Sequence, residues 1–271
     1  MNFKWNFSFL FLQSITIFGF LILYTPLIVL AIESFHTAPY DYSQGWTLKW
    51  YQKLLCNEEV WEAFFLSLSV GFWSTLGATL LGTAAALSLK KMSHLEKRGF
   101  EILNYISLSM PEIVLGLALL VWFSLIKITL GTISIILAHM TFSVSYVILT
   151  IRARIADLDE YLEEAALDLG ANSWEVFWKV TFPLVRPGIL SGALIAFTLS
   201  FDDFLVSFFI AGVGSNTLPL QIYSMIRYGV SPEINALSTL LIFSTFLIVL
   251  MLFQLLRKKP FFKSEERVKK I

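Results

Sequence analysis

The sequence predicts an all-α polytopic membrane protein with six transmembrane helices. Three observations carry this. Apolar residues make up 56% of the 271 and charged residues only 15%, with 25 Phe and 8 Trp. No soluble domain of this length has an interior large enough for that load. The apolar residues also fall into runs near the ~20 residues that cross a ~30 Å bilayer core at ~1.5 Å each. Finally, Lys and Arg gather in alternate connections between the runs, as they do in membrane proteins of fixed orientation.

The runs lie at about residues 10–32, 63–89, 102–126, 133–151, 188–211 and 234–256. The first is too long for a signal-peptide core and no A-x-A-like site follows it, so it is expected to remain as a helix. Three regions follow: 1–60, a helix and an external loop; 61–256, the core, with a polar connection at 157–187; and 257–271, a basic tail. One side of the membrane holds Lys4, then Lys90, Lys91, Lys97 and Arg98, then Arg152, Arg154, Lys179 and Arg186, then the tail. The other holds Lys49, Lys53, Lys127 and Arg227. The bias places both termini and the 157–187 connection in the cytoplasm.

Several classes drop out. Lys and Arg (20) balance Asp and Glu (20), so no net charge draws the chain to nucleic acid. A single cysteine, Cys56, excludes an internal disulfide and any multi-cysteine metal site. His36, His94 and His139 are scattered and are expected to be one loop, one cytoplasmic and one core histidine. No metal-ligand spacing, no nucleophile–base pair and no phosphate-binding G-x-x-x-x-G-K-[ST] is present, so neither a catalytic nor a metal site is expected.

In chain order, the first external loop carries Trp46, Trp50 and Tyr51, which suit a short helix at the interface. The second helix has Ser67, Gly71, Ser74, Ala78 and Gly82 on one face, a close-packing stripe. The third contains Met110-Pro111-Glu112: Pro111 predicts a kink, and Glu112 is an ionisable group within the membrane. Such a group either faces a water-filled path or is held by interhelical hydrogen bonds. In the fifth, Gly192, Ala196, Ser200 and Asp203 share a face, and Asp202 is turned about 100° from Asp203. A cation in a path would explain the paired acids; a capping or packing role for one of them is the plainer alternative. Phe201 and Phe204 flank the pair, and aromatic faces attract ammonium groups. The last external loop contains LPLQIYSMIRYG, a short amphipathic helix ended by Gly229.

The 157–187 connection reads as two short helices. Asp157 and Glu160 suit a helix start near Leu158, and Gly170 suits a left-handed stop. Asn172 with Glu175 caps a second helix through Trp174, Phe177, Trp178 and Val180, and Pro183 and Pro187 are expected to end it.

Glu164-Ala165-Ala166, three residues, Gly170, nine residues, then Val180-Thr181-Phe182-Pro183 resembles the EAA loop of ABC importer permeases, E-A-A-x3-G-x9-I-x-L-P. Val180 and Phe182 stand where the pattern has Ile and Leu; the spacing is intact. The resemblance implies a type I (MetI-like) permease fold in a bacterial inner membrane, with this coupling loop between helices four and five. It implies that Glu164, Ala165, Ala166, Gly170, Val180 and Pro183 couple to a separate cytoplasmic ATPase dimer, which binds ATP and Mg, so this chain itself holds no cofactor. It also implies a second permease subunit and an external binding protein.

The runs MPEIVLG, SFDDF and LPLQIYSMIRYGVSPEINALST are similar to those of the spermidine/putrescine permeases of the PotC type. That resemblance implies a polyamine path using Glu112 and Asp202 or Asp203. Two alternatives stand beside it. One keeps the permease and changes the cargo to another organic cation, an amino-acid-like solute or an inorganic ion; an anionic cargo favours basic residues facing the path, and no predicted span has an interior Lys or Arg. The other is a membrane enzyme or metal-ion channel built on the same acids.

Overall fold

The structure, a computed structural model, describes residues 3–38, 41–90, 92–159, 161–227, 229 and 231–258. Glu160, Lys91 and the tail charges Lys259, Lys263, Arg267, Lys269 and Lys270 lie outside the described residues. By internal contacts the chain divides into Met1–Glu58 with Ser224–Ile271, and Glu59–Tyr223.

The first unit contains α1 (Phe3–Glu33), a hairpin of β1 (His36–Ala38) and β2 (Asp41–Trp46), and α2 (Lys49–Leu55). It closes with the long C-terminal helix of Pro232–Lys258. The hairpin is not foreseen by the sequence reading. It takes Trp46 out of the expected interfacial helix, which begins only at Lys49. His36, expected in a loop, is buried on β1 with Nδ1 3.0 Å from the Ile32 carbonyl. Glu233 is buried near the start of the C-terminal helix and is paired with Lys53 (2.7 Å) and Asn57 (2.8 Å) of this same unit.

The second unit runs α3 (Glu58–Ser88), α4 (His94–Ser109), α5 (Glu112–Leu125), α6 (Thr132–Ala156), α7 (Tyr161–Asp168), α8 (Ser173–Val176), a π-helical turn (Phe177–Thr181), α9 (Phe182–Asp202) and α10 (Leu205–Ile210). Then comes α11 (Leu218–Arg227), and the C-terminal helix is α12.

Among the described residues four helical segments are long and apolar enough to cross a membrane: Phe9–Glu33, Glu58–Ser88, Thr132–Ala156 and Ser173–Asp202. A fifth crossing exists if α4 and α5 form one span. The apolar described part of α12, Pro232–Leu247, is shorter. Every predicted span therefore has a helix, but two are not the continuous rods the hydropathy suggested.

The third span breaks. α4 and α5 meet at 105°, far beyond a kink. Met110 leaves α4 in an extended conformation (φ −71°, ψ 128°). Pro111 has no N–H to continue the ladder and disfavours helix in the residue before it. The 14 residues of α5 reach roughly 21 Å, short of a ~30 Å core. The fifth span breaks too. α9 ends at Asp202, Asp203 is extended (φ −67°, ψ 123°), and α10 restarts at Leu205.

Packing rests on small residues. Ser67, Gly71, Ser74, Ala78 and Gly82 of α3 are all buried, as are Gly188, Gly192, Ala196 and Ser200 of α9. A methyl on Gly82 would stand 2.7 Å from Val147 of α6, and one on Gly192 would stand 3.3 Å from the Val147 Cα. Without a hydrophobic drive between helices in lipid, this close approach supplies the dispersion that holds them. One apolar cluster joins Val70, Phe123, Ile135, Ala138, Val206 and Ile210; a second joins Ala78, Ala86, Val147, Ile151, Val185 and Ala196.

Candidate functional site

The two breaks meet. α5 packs on α10 at Gly116, where a methyl would lie 2.9 Å from the Phe209 ring and 3.4 Å from the Val206 Cα. Glu112 begins α5, and Asp203 stands two residues before the start of α10, with Phe204 between. Acids at helix N-termini are favoured by the unpaired N–H groups there. Between the breaks is a cleft of about 250 Å³. Glu112, Asp202, Asp203 and Phe204 line it, with Phe142 and Tyr146 of α6. The structure thus gathers three acids that are up to 91 positions apart in the chain. Phe201 is not in the lining; it stacks on Phe197 (5.9 Å) and meets Phe64 edge-on (6.2 Å). Phe204 packs on Tyr223 of α11 at 4.8 Å.

The three acids are not equivalent. Glu112 and Asp202 are exposed, and among the described residues neither carries a hydrogen bond or ion pair. Asp203 is buried. Its Oδ2 accepts from the Ser207 backbone N–H (2.8 Å) and its Oδ1 from that of Val206 (3.2 Å), so it satisfies two first-turn donors of α10 from the residue before the N-cap, Phe204. Oδ2 also lies 3.1 Å from Nε2 of His139, which is fully buried on α6. His139 is the core histidine expected, but its partners are not legible from the sequence. Nδ1 meets the Ser200 hydroxyl at 2.7 Å, and Nε2 meets that of Ser207 at 3.1 Å. Ser200 continues to Ser74 of α3 at 2.9 Å. One polar chain therefore ties α3, α6, α9 and α10 together just behind the cleft.

The connection at 157–187, expected to be the coupling loop, is helix, bend, helix. α7 starts at Tyr161 rather than Leu158. Asp159, not Asp157, turns the chain by accepting the Tyr161 N–H (3.0 Å), while Asp157 closes α6. Gly170 has φ +89°, a left-handed value that glycine adopts without a Cβ clash. The Ala171 N–H reaches back to the Ala166 carbonyl (3.1 Å) and that of Gly170 to Leu167 (2.9 Å), the pattern of a glycine helix stop. Asn172 and Glu175 cap α8 reciprocally, at 2.9 and 3.2 Å.

Pro183 and Pro187 do not end this helix. α8, the π turn and α9 form one run from Ser173 to Asp202. The wider π register takes up the donor and space that Pro183 removes at the start of α9, and Pro187 lies within α9.

Glu164, Ala165 and Pro183 are exposed, Ala166 and Val180 half-buried, and Trp174 and Trp178 present exposed aromatic surface. The residue before the E-A-A triplet also takes part. Glu163 Oε1 accepts from the buried Thr181 hydroxyl and from Lys90, each at 2.9 Å, and so ties α7 to the π turn and to the end of α3.

Residues 78–258 match the family described as binding-protein-dependent transport system inner membrane component. The putrescine transport system permease protein PotI of Escherichia coli (strain K12) is 39% identical over 236 residues, 84% of each chain. The spermidine/putrescine transport system permease protein PotC of Haemophilus influenzae is 37% identical over 238 residues, covering 88% of this chain and 92% of that one. Among solved structures, a bacterial ABC transporter involved in the import of the acidic polysaccharide alginate superposes with a TM-score of 0.72 at 16% identity, over 97% of this chain and 99% of that one. The MetNI methionine ABC transporter gives 0.56 at 18%, over 73% and 93%. The shared fold is that of ABC transporter membrane subunits, and the chain belongs to the family of binding-protein-dependent transport system inner membrane components.

Proposed function

We propose that this chain is the membrane-spanning permease subunit of an ATP-driven importer that brings polyamines into the cell. The observation that carries the cargo class is the cleft at the two helix breaks, where Glu112 and Asp202 expose carboxylates beside Phe204. Broken helices at membrane depth commonly mark transport sites, and ionisable groups are expensive there unless used. A polyamine carries ammonium groups separated by methylenes. The carboxylates suit the former, and the aromatic faces suit both parts. The relatives whose names specify putrescine or spermidine support the same cargo.

The hydrogen bonds of Asp203 support a division of labour between the paired acids. Asp202 and Glu112 meet the cation, while Asp203 spends its lone pairs on α10 and His139. The coupling loop supplies the drive. Its exposed face (Glu164, Ala165 and Pro183, with Ala166 and Val180 partly covered) docks on a cytoplasmic ATPase dimer, which holds ATP and Mg. Because α8, the π turn and α9 are one helical run, a pull on the loop passes along α9 to Asp202. A second permease subunit completes the path, an external binding protein delivers cargo, and both termini lie in the cytoplasm.

The test is ATP-driven uptake by the complete complex in proteoliposomes. Labelled putrescine or spermidine should accumulate, and unlabelled diamines should compete where neutral amino acids and phosphonates do not. Uptake competed only by a neutral or anionic solute would contradict the cargo assignment.

A further inference from the structure

We infer that His139 is a positioning residue for transport: through Asp203 it fixes the break between α9 and α10 and so holds Asp202 open to the cleft. The inference rests on the proposed cargo path.

The apolar run that forms α9 and α10 has no proline or glycine between Gly192 and Gly212. Nothing in its intrinsic preferences demands a break at residue 203. The break exists because Asp203 leaves the helix and accepts the N–H groups of Val206 and Ser207. A carboxylate in that role, buried from water, needs a partner for its charge. His139 supplies one at 3.1 Å and is itself fully buried, so the ring has no water as an alternative. Ser200 meets Nδ1 on the ring's other side at 2.7 Å; when Nε2–H is given to Asp203, the hydroxyl is the donor there. The ring thus spans from the last turn of α9 to the first of α10. If His139 is lost, α9 is free to wind on through residue 203. Each further helical residue turns by about 100°, so α10, and the α5 that packs on it and begins at Glu112, shift relative to Asp202, which then no longer sits at a helix end on the cleft.

The experiment uses the whole complex in proteoliposomes, with uptake of labelled putrescine measured for His139→Leu, His139→Gln and Asp202→Asn. His139→Leu should raise KM roughly tenfold with maximal rate within about twofold, the signature of a misplaced contact. His139→Gln, whose amide can still donate to Asp203, should recover most of that loss. Asp202→Asn should lose uptake. If Asp202→Asn transports normally, the cargo-path reading fails and the inference with it. If Asp202→Asn loses uptake but His139→Leu keeps the native KM, the inference alone is overturned. It is also overturned if both His139 variants fail to assemble, or lose maximal rate at unchanged KM, because His139 is then a packing residue only.

Discussion

Nε2 of His139 stands 3.1 Å from Oδ2 of Asp203, across 64 positions of sequence, while the neighbouring Asp202 faces the cleft. Two adjacent, chemically identical side chains are thereby given different work. Asp203 accepts the N–H groups at the start of α10, while Asp202 is exposed in the cleft.

Replacing Asp203 by Ala should therefore damage the protein before it damages affinity. The change takes the acceptor from two backbone N–H groups at the start of α10, at about 1–3 kcal/mol each, and leaves buried His139 with only the Ser207 hydroxyl on Nε2. The expected result is a lower melting temperature of the detergent-solubilised complex, read by intrinsic fluorescence. Asp202→Ala should leave that temperature unchanged.

Gly170 tests the bend of the coupling loop. A side chain at φ +89° costs about 1–2 kcal/mol by Cβ contact alone, although a methyl there meets nothing within 4 Å. Gly170→Asp should thus fold, but should weaken the link between nucleotide hydrolysis and uptake. The measure is the ratio of cargo moved to ATP hydrolysed, which should fall several-fold. An unchanged ratio would count against the bend as a docking element.

Glu163 and Thr181 hold that loop closed on itself at 2.9 Å. A double-mutant cycle of Glu163→Gln and Thr181→Val, read on stability of the assembled complex, should give a coupling energy of about 0.5–1.5 kcal/mol. Additive losses would mean that the contact does not carry the loop.

Gly212 follows α10 where the chain crosses the α5–α6 connection. A methyl there would lie 2.1 Å from the Leu130 carbonyl oxygen, a backbone atom with no rotamer to yield. Gly212→Ala should cost about 1–3 kcal/mol or more and reduce the amount of folded protein recovered from membranes.

Much of this was legible in the sequence. Hydropathy located a helix for each predicted span, and spacing alone identified the buried stripes of α3 and α9. The caps at Asn172 and the stop at Gly170 followed from local chemistry, because each is satisfied within a few residues. What was missed depends on distant partners. A capping role for one of the paired acids was open in the sequence, and Asp203 takes it; which acid it would be was not legible, since the counter-group is His139 on another helix. Pro111 signalled a kink but not one of 105°, because that angle is set by what α5 packs against at Gly116. Pro183 and Pro187 read as stops because propensity takes no account of the π turn that absorbs the first of them. The strand β2 carries Gly45 at φ +80°, in a stretch too short and too polar for a clear period.

Glu112 and Asp202 are proposed to take a polyamine in the cleft between the two helix breaks. ATP-driven spermidine uptake by the reconstituted complex carrying Glu112→Gln and Asp202→Asn together tests it most directly. The account predicts that uptake is lost while the complex assembles and hydrolyses ATP at its basal rate. Uptake at the native rate and KM would contradict it.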